Sequence, residues 1–182
     1  MATFISAGHN LYGIKPDSGA IGNGYKEASL TIEFRDLVIK ECLKLGMKVV
    51  QDKDDERLGS YLERIKTGSG SVVVEYHFDA SDKPLATGTT GLIEAEADRL
   101  DKAFAKELTD STASILGIKN RGVITEAQSH RGSLGLMREE GIIALIQICF
   151  ISNINDIKAY QLNKNKLAIE HAKIIKKYED LL

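Results

Sequence analysis

Cysteine is scarce in this chain, and that scarcity removes disulfide-stapled scaffolds from consideration. Cys42 and Cys149 are the only two among 182 residues, and neither belongs to a CxxC pair. Both are expected to be buried free thiols, which fits folding in a reducing compartment. Basic charge is not in excess either. The net charge is −2 and no stretch concentrates Lys or Arg, so nucleic acid, whose phosphates call for a basic face, is not an expected partner. No apolar run approaches the roughly 20 residues that span a bilayer, so no membrane partner is expected. The opening MATFISAGHN has no charged leader region and no cleavage site, and reads as a chain without a signal peptide. Internal repeats, low-complexity segments and linkers are missing as well, so residues 1–182 are read as a single domain. Oligomeric state leaves no mark in the sequence.

What is present is ordinary for a folded protein: 43% hydrophobic and 27% charged residues. Strands and helices alternate. Thr3 to Ala7 is a short apolar run ending at Gly8, the pattern of a buried strand followed by a loop. Leu30, Phe34, Leu37, Val38 and Leu45 recur at helical spacing, so a helix opens at Glu27 or Ala28 and closes near Gly46. Met47–Gln51 reads as a second strand, and Leu58, Leu62 and Ile65 as a short helix stopped by Gly68 and Gly70. Val72–Val74 begins a third strand, whose continuous β-branched run predicts cover on both faces. Residues 77–90 read as a polar loop and Ala95–Leu116 as a long helix. Ile142–Ile148 is the candidate central strand. Asn155–Leu182 is again helical, with Leu167, Ile174, Tyr178 and Leu181 as buried positions. The expected fold is α/β, a mostly parallel twisted sheet with helices on both faces. In such sheets the reactive groups lie beyond the carboxyl ends of the strands.

His9 follows the first strand, Glu27 starts the first long helix, and His77 follows the third strand. Two imidazoles and a carboxylate form a common catalytic zinc set that leaves one position for water. Position alone does not choose this reading. A histidine beside a strand is more often simply hydrogen-bonded, and a glutamate favours a helix N-terminus for electrostatic reasons.

The wording around these residues carries more. The chain reads SAGHN at 6–10, GAIGNGYKE at 19–27, YHFDA at 76–80, ATGT at 86–89, IKNRGV at 118–123, SLGLMR at 133–138 and CFISN at 149–153. In this order, across almost the whole chain, these segments resemble the zinc N-acetylmuramoyl-L-alanine amidases of the amidase-3 type. The resemblance implies Zn2+ as cofactor, with His9, Glu27 and His77 as its ligands. It implies peptidoglycan as partner and substrate, cut at the amide between N-acetylmuramic acid and L-alanine. It also implies a glutamate general base just before FISN. With no leader read in the sequence, the expected setting is endolysin-like: made in the cytoplasm and acting on the cell wall after release.

At the base position the chain departs from the family. It reads ALIQICFISN, so the expected glutamate is Gln147, whose amide cannot usefully accept a proton near neutral pH. Losing a general base typically costs about 10²–10⁴-fold in rate. Two explanations stand: an engineered Glu→Gln exchange, favoured by the otherwise complete motifs, or a natural residue in a weak enzyme. The alternative function is a non-catalytic peptidoglycan-binding protein that uses the zinc cleft for recognition. Glu75 is a second departure, since the family commonly has a small residue there; it is read as orienting His77, as a surrogate base, or as an ion-paired carboxylate. The arginine matching Arg138 sits near the catalytic centre in the family, so Arg138 is expected either to hold charge there or to tie down its loop. Asn10 and Asp79 flank ligands, and His130 and Arg131 fall in a polar loop that could line the cleft. Cys149 reads as a small core residue, Glu139 and Glu140 as solvated.

Overall fold

The computed structural model describes residues 2–83, 85–129 and 132–182. Pro84, His130 and Arg131 lie outside the described residues. Among the described residues, eight strands and four helices follow in chain order: β1 (Ala2–Ala7), β2 (Ile21–Gly22), β3 (Tyr25–Lys26), α1 (Glu27–Lys44), β4 (Val49–Gln51), α2 (Leu58–Arg64), β5 (Ser71–Asp79), β6 (Thr89–Ile93), α3 (Arg99–Leu116), β7 (Asn120–Thr125), β8 (Ile142–Phe150) and α4 (Ile154–Glu179). β2 and β3 form a small hairpin, and the other six strands make one sheet in the order β4-β1-β5-β8-β6-β7. No helix among the described residues is long and apolar enough to cross a membrane.

The sheet is mostly parallel, as expected, with one reversal. β4, β1, β5 and β8 run parallel, whereas β6 is antiparallel to β8 and pairs in parallel with β7. The reversal follows from connection length. Only residues 80–88 separate β5 from β6, too few for the crossover of a dozen or more residues that a parallel return requires. β6 therefore comes back the other way, and β8 later fills the gap between them. Both β6 and β7 fall in stretches that sequence patterning left without a strand. β6 reads TTGLI and β7 NRGVIT, short and half-polar, so neither gives an apolar run. The predicted loop at 77–90 is correspondingly shorter: β5 extends through His77 to Asp79, and β6 begins at Thr89.

Helices cover both faces unequally. α1, α3 and α4 pack a large apolar layer on one face, including Ile5, Val72, Val74, Tyr76, Ile142, Ile146, Phe34, Phe104 and Tyr160. The other face carries a smaller layer of Phe4, Val73, Leu92, Ile143 and Leu145 under α2 and the 3-10 turn Gly135–Arg138. β5 and β8 are buried along nearly their whole length, as their unbroken apolar runs predict. α3 starts at Arg99 and not at Ala95, because Asp98 accepts from the backbone N–H groups of Leu100 and Asp101 while Asp101 returns the bond, a capping box that sets the first turn. α4 ends at Glu179, so Leu181, expected to be buried, is 59% exposed.

One buried polar group in the large layer has a pH signature. Thr112 Oγ1 donates to the carbonyl of Leu108 at 2.7 Å, so His171 Nε2–H donates to Thr112 Oγ1 at 2.9 Å and His171 Nδ1 accepts from the Tyr76 hydroxyl at 3.2 Å. Burial pushes the His171 pKa down from 6.5 to about 3. A depressed histidine pKa means that the unfolded chain binds the extra proton first. His171 should thus contribute full stability above pH 6.5 and lose it as pH falls toward 3, at about 1.4 kcal/mol per pH unit inside that window. Urea unfolding between pH 7 and pH 4 should show this slope, and His171→Gln, which keeps both hydrogen bonds without titrating, should remove it.

Candidate functional site

The smaller face of the sheet turns polar toward the carboxyl ends of β1, β5 and β8. Alternation along each strand explains which residues arrive there. Val73 points to the small layer, so Glu75 and His77 follow on the same side. Ile143 and Leu145 lead likewise to Gln147, and Phe4 leads to Ser6. The register then sets neighbours: Ser6 pairs with Glu75, His77 with Gln147, and Gln147 with Thr90. A row of polar groups thus crosses four strands where the apolar layer runs out.

His9 and Glu27 meet this row from above. His9 lies just past β1 with φ 72°, a left-handed conformation uncommon for a side-chain-bearing residue. Thr31 on α1 donates to the Gly8 carbonyl at 2.7 Å and fixes the turn. Glu27, the first residue of α1, is 2% exposed. Its Oε1 accepts from the Phe78 N–H at 3.0 Å and lies 2.9 Å from His77 Nδ1. Its Oε2 accepts from the Ala20 N–H at 2.9 Å and lies 3.2 Å from His9 Nε2. The two imidazole rings stand edge to face at 5.1 Å. One ligand atom from each of His9, Glu27 and His77 lies within 4.8 Å of the others, a group able to hold a metal ion.

The donor set fits a zinc ion on its chemistry, two nitrogens and one carboxylate oxygen. Geometry agrees: His9 Nε2 is buried and makes no properly directed hydrogen bond despite its closeness to Glu27. Its other nitrogen is held from behind, with Nδ1 2.8 Å from Asp17. Asp17 was not singled out from sequence. It comes into range because residues 10–17 fold back, with Asn10 bridging to Asp17. Burial works to lower the His9 pKa, but the carboxylates of Glu27 and Asp17 outweigh it and raise it to about 8. Burial likewise would push Glu27 up, yet the neighbouring imidazoles of His77 and His9 hold it well below the usual carboxylate range.

Gln147 is 3% exposed, and its Oε1 accepts no hydrogen bond from the described residues. With Asp79, Thr90, Leu92, Arg121, Gln128 and Ser129 it lines a cleft of about 250 Å³. A larger groove of about 710 Å³ lies along α3 and β7 and shares Arg121 and Gln128 with this cleft. The smaller cleft is the one beside the His–Glu–His cluster, because Gln147 stands in register with His77.

Other expected residues fall as follows. Arg138 is ion-paired with Glu94 and Glu126 and bonds Ser133 at 3.1 Å. These contacts tie its loop together, and none of them is with His9, Glu27, His77 or Gln147. Glu126, 4% exposed, also accepts from the Leu134 N–H. Asn10 donates to the carbonyls of Tyr12 and Lys15 and shapes the loop after His9. Cys149 is buried, and burial pushes its thiol well above the usual range, so it is an inert core residue like Cys42. Glu139, expected to be solvated, is half-buried and accepts from Thr67 at 2.9 Å.

A sheet with a His–Glu–His cluster at its strand ends places reactive groups where open α/β folds present them, and this cluster could hold a metal ion. The family profile described as N-acetylmuramoyl-L-alanine amidase matches residues 3–177, and the chain belongs to that family. It is 24% identical over 157 residues to N-acetylmuramoyl-L-alanine amidase LytC of Bacillus subtilis (strain 168), a stretch that is 84% of this chain and 30% of LytC. The chain therefore spans less than a third of that relative's length. Among solved structures it superposes on an N-acetylmuramoyl-L-alanine amidase from Clostridium difficile 630 with TM-score 0.80 and 18% identity, covering 98% of this chain and 96% of the other. For the catalytic domain of CwlV from Bacillus (Paenibacillus) polymyxa var. colistinus the TM-score is 0.78 at 20% identity, with 100% of both chains covered. At these identities the structural likeness establishes the shared fold.

Two glycines make the cluster sterically possible. A Cβ on Gly8 would lie 2.2 Å from His77 Cε1, and one on Gly19 2.7 Å from Glu27 Oε2. Gly8→Ala should displace the His77 ring and destabilise the fold by about 1–3 kcal/mol, read by urea unfolding. Gly59→Ala, within α2 and with open space around it, should be neutral or stabilising.

Proposed function

We propose that this chain is a zinc-dependent N-acetylmuramoyl-L-alanine amidase domain, hydrolysing the amide between N-acetylmuramic acid and L-alanine in peptidoglycan. We further propose that Gln147 occupies the general-base position, so that this chain turns over weakly. The observation that carries the reading is the convergence of His9, Glu27 and His77 within 4.8 Å at the strand ends. In the same proposal the domain acts at the cell wall in an endolysin-like setting.

His9, Glu27 and His77 would hold the zinc ion. When bound, it supplies Lewis-acid polarisation of a carbonyl and lowers the pKa of water toward about 7. The protein's own contribution is positional. Asp17 steadies the back of His9, Phe78 and Ala20 hold both oxygens of Glu27, and Thr31 fixes the β1 turn. Gln147 sits on the strand beside His77, where its carboxamide can orient a water through hydrogen bonds but cannot remove its proton. Arg121, Gln128 and Ser129 on the cleft wall offer polar contacts for a stem peptide.

Gln147 itself favours a second reading, a wall-binding protein that retains the cleft for recognition. Turnover separates the two. With purified peptidoglycan and one zinc ion per chain, Gln147→Glu should release L-alanine amines about 10²–10⁴-fold faster than the chain as it stands. If both forms load zinc and bind the wall but neither cleaves, the recognition reading holds and the amidase reading fails. Stripping zinc with a chelator should abolish hydrolysis by Gln147→Glu and lower its Tm, and added zinc should restore both.

A further inference from the structure

We propose that Glu75 is a positioning residue for His77, holding the ring with Nε2–H turned inward so that Nδ1 is the ligating nitrogen. The inference rests on reading His9, Glu27 and His77 as a metal site, and it assigns the side of the imidazole that serves it.

Glu75 is 3% exposed, on β5, two residues before His77 and on the same face. His77 Nε2 lies 2.9 Å from Glu75 Oε1, and Ser6 on β1 donates to Glu75 Oε2 at 3.2 Å. Both carboxylate oxygens are thereby occupied. Among the described residues, His77 is the titratable side chain that lies within ion-pair distance of Glu75. On the opposite edge of the ring, Nδ1 lies 2.9 Å from Glu27 Oε1, toward His9. Gly8 permits this pose by letting the ring lie against bare backbone, where any Cβ would collide with Nδ1, Cε1 and Nε2 together. Backbone packing on one side and a carboxylate at one end leave the ring a single orientation.

A buried carboxylate is costly without partners. Burial of Glu75 beside a histidine is therefore explained by what it does to that histidine. A carboxylate accepting from the rear N–H fixes the tautomer, orients the ring and makes the front nitrogen a better donor, and its loss typically costs about 10–100-fold in metal affinity. The same placement removes Glu75 as a substitute for the missing base. It stands across the imidazole from Glu27, so His77 lies between it and the point where the three ligands meet.

The test uses the zinc-loaded chain with 15N-labelled histidine. Long-range 1H–15N correlations should show His77 with a proton on Nε2 and none on Nδ1. Competition with a chromophoric chelator should give zinc affinity about 10–100-fold weaker in Glu75→Ser. Glu75→Gln, whose amide oxygen still accepts from Nε2–H, should retain the nitrogen assignment and recover most of the affinity. Thermal melts of both variants distinguish misfolding from loss of orientation, and in a folded Glu75→Ser the affinity loss must remain. Ligation through Nε2, or unchanged affinity in folded Glu75→Ser, would overturn the inference while leaving the amidase reading intact. A wild-type chain that takes up no zinc would overturn both.

Discussion

The carboxylate of Glu27 is the group around which the site is organised. It is an ion almost wholly removed from water at the first turn of α1, a position that is unfavourable unless every lone pair is used. Two backbone donors bond it directly, the N–H of Phe78 from β5 and that of Ala20 from the loop before α1, and the ring nitrogens of His77 and His9 face its two oxygens at 2.9 and 3.2 Å. β1, β5 and α1 are thereby tied to one point. Removing that point would leave each histidine held only from behind, His9 by Asp17 and His77 by Glu75. A divalent cation is the natural complement to such a cluster, because it satisfies the carboxylate and both ring nitrogens at once.

The rest of the structure can be read as support for that arrangement. The small apolar layer of Phe4, Val73, Leu92, Ile143 and Leu145 ends where Ser6, Glu75, His77, Gln147 and Thr90 begin. Strand alternation thus carries each side chain to the site without a special loop. Behind β1, Arg35, only 1% exposed, bonds Asp52 and Asp54, and Asp52 accepts from the Ala7 N–H. This ionic cluster anchors α1 against the strand that presents His9, and the buried guanidinium is bonded through all three of its nitrogens, the condition under which buried charge is tolerated.

Much of this architecture was legible in the sequence, and the failures have physical causes. The continuous apolar runs in β5 and β8 announced central strands, and the spacing of Leu30, Phe34 and Val38 placed α1 with its start at Glu27 or Ala28. β6 and β7 were missed because Thr89–Ile93 and Asn120–Thr125 mix polar and apolar residues over short lengths. The boundary at His77 was misplaced because a strand that turns polar at its end looks like a loop. His9, Glu27 and His77 were identified from motif wording and strand ends together, and the fold brings all three into contact range. Asp17 and the tight approaches at Gly8 and Gly19 depend on how the chain folds back, which no local pattern records. Arg138 shows the limit of positional resemblance: its contacts are with Glu94 and Glu126, in the loop and not in the cluster.

X-ray absorption at the zinc edge, on the purified chain loaded with one equivalent of zinc, tests the central claim most directly. The account predicts a first coordination shell of two imidazole nitrogens and one carboxylate oxygen plus a light solvent atom, lost in both His9→Ala and His77→Ala. A thiolate in the shell, zinc retained by those variants with an unchanged spectrum, or no stoichiometric binding would contradict it.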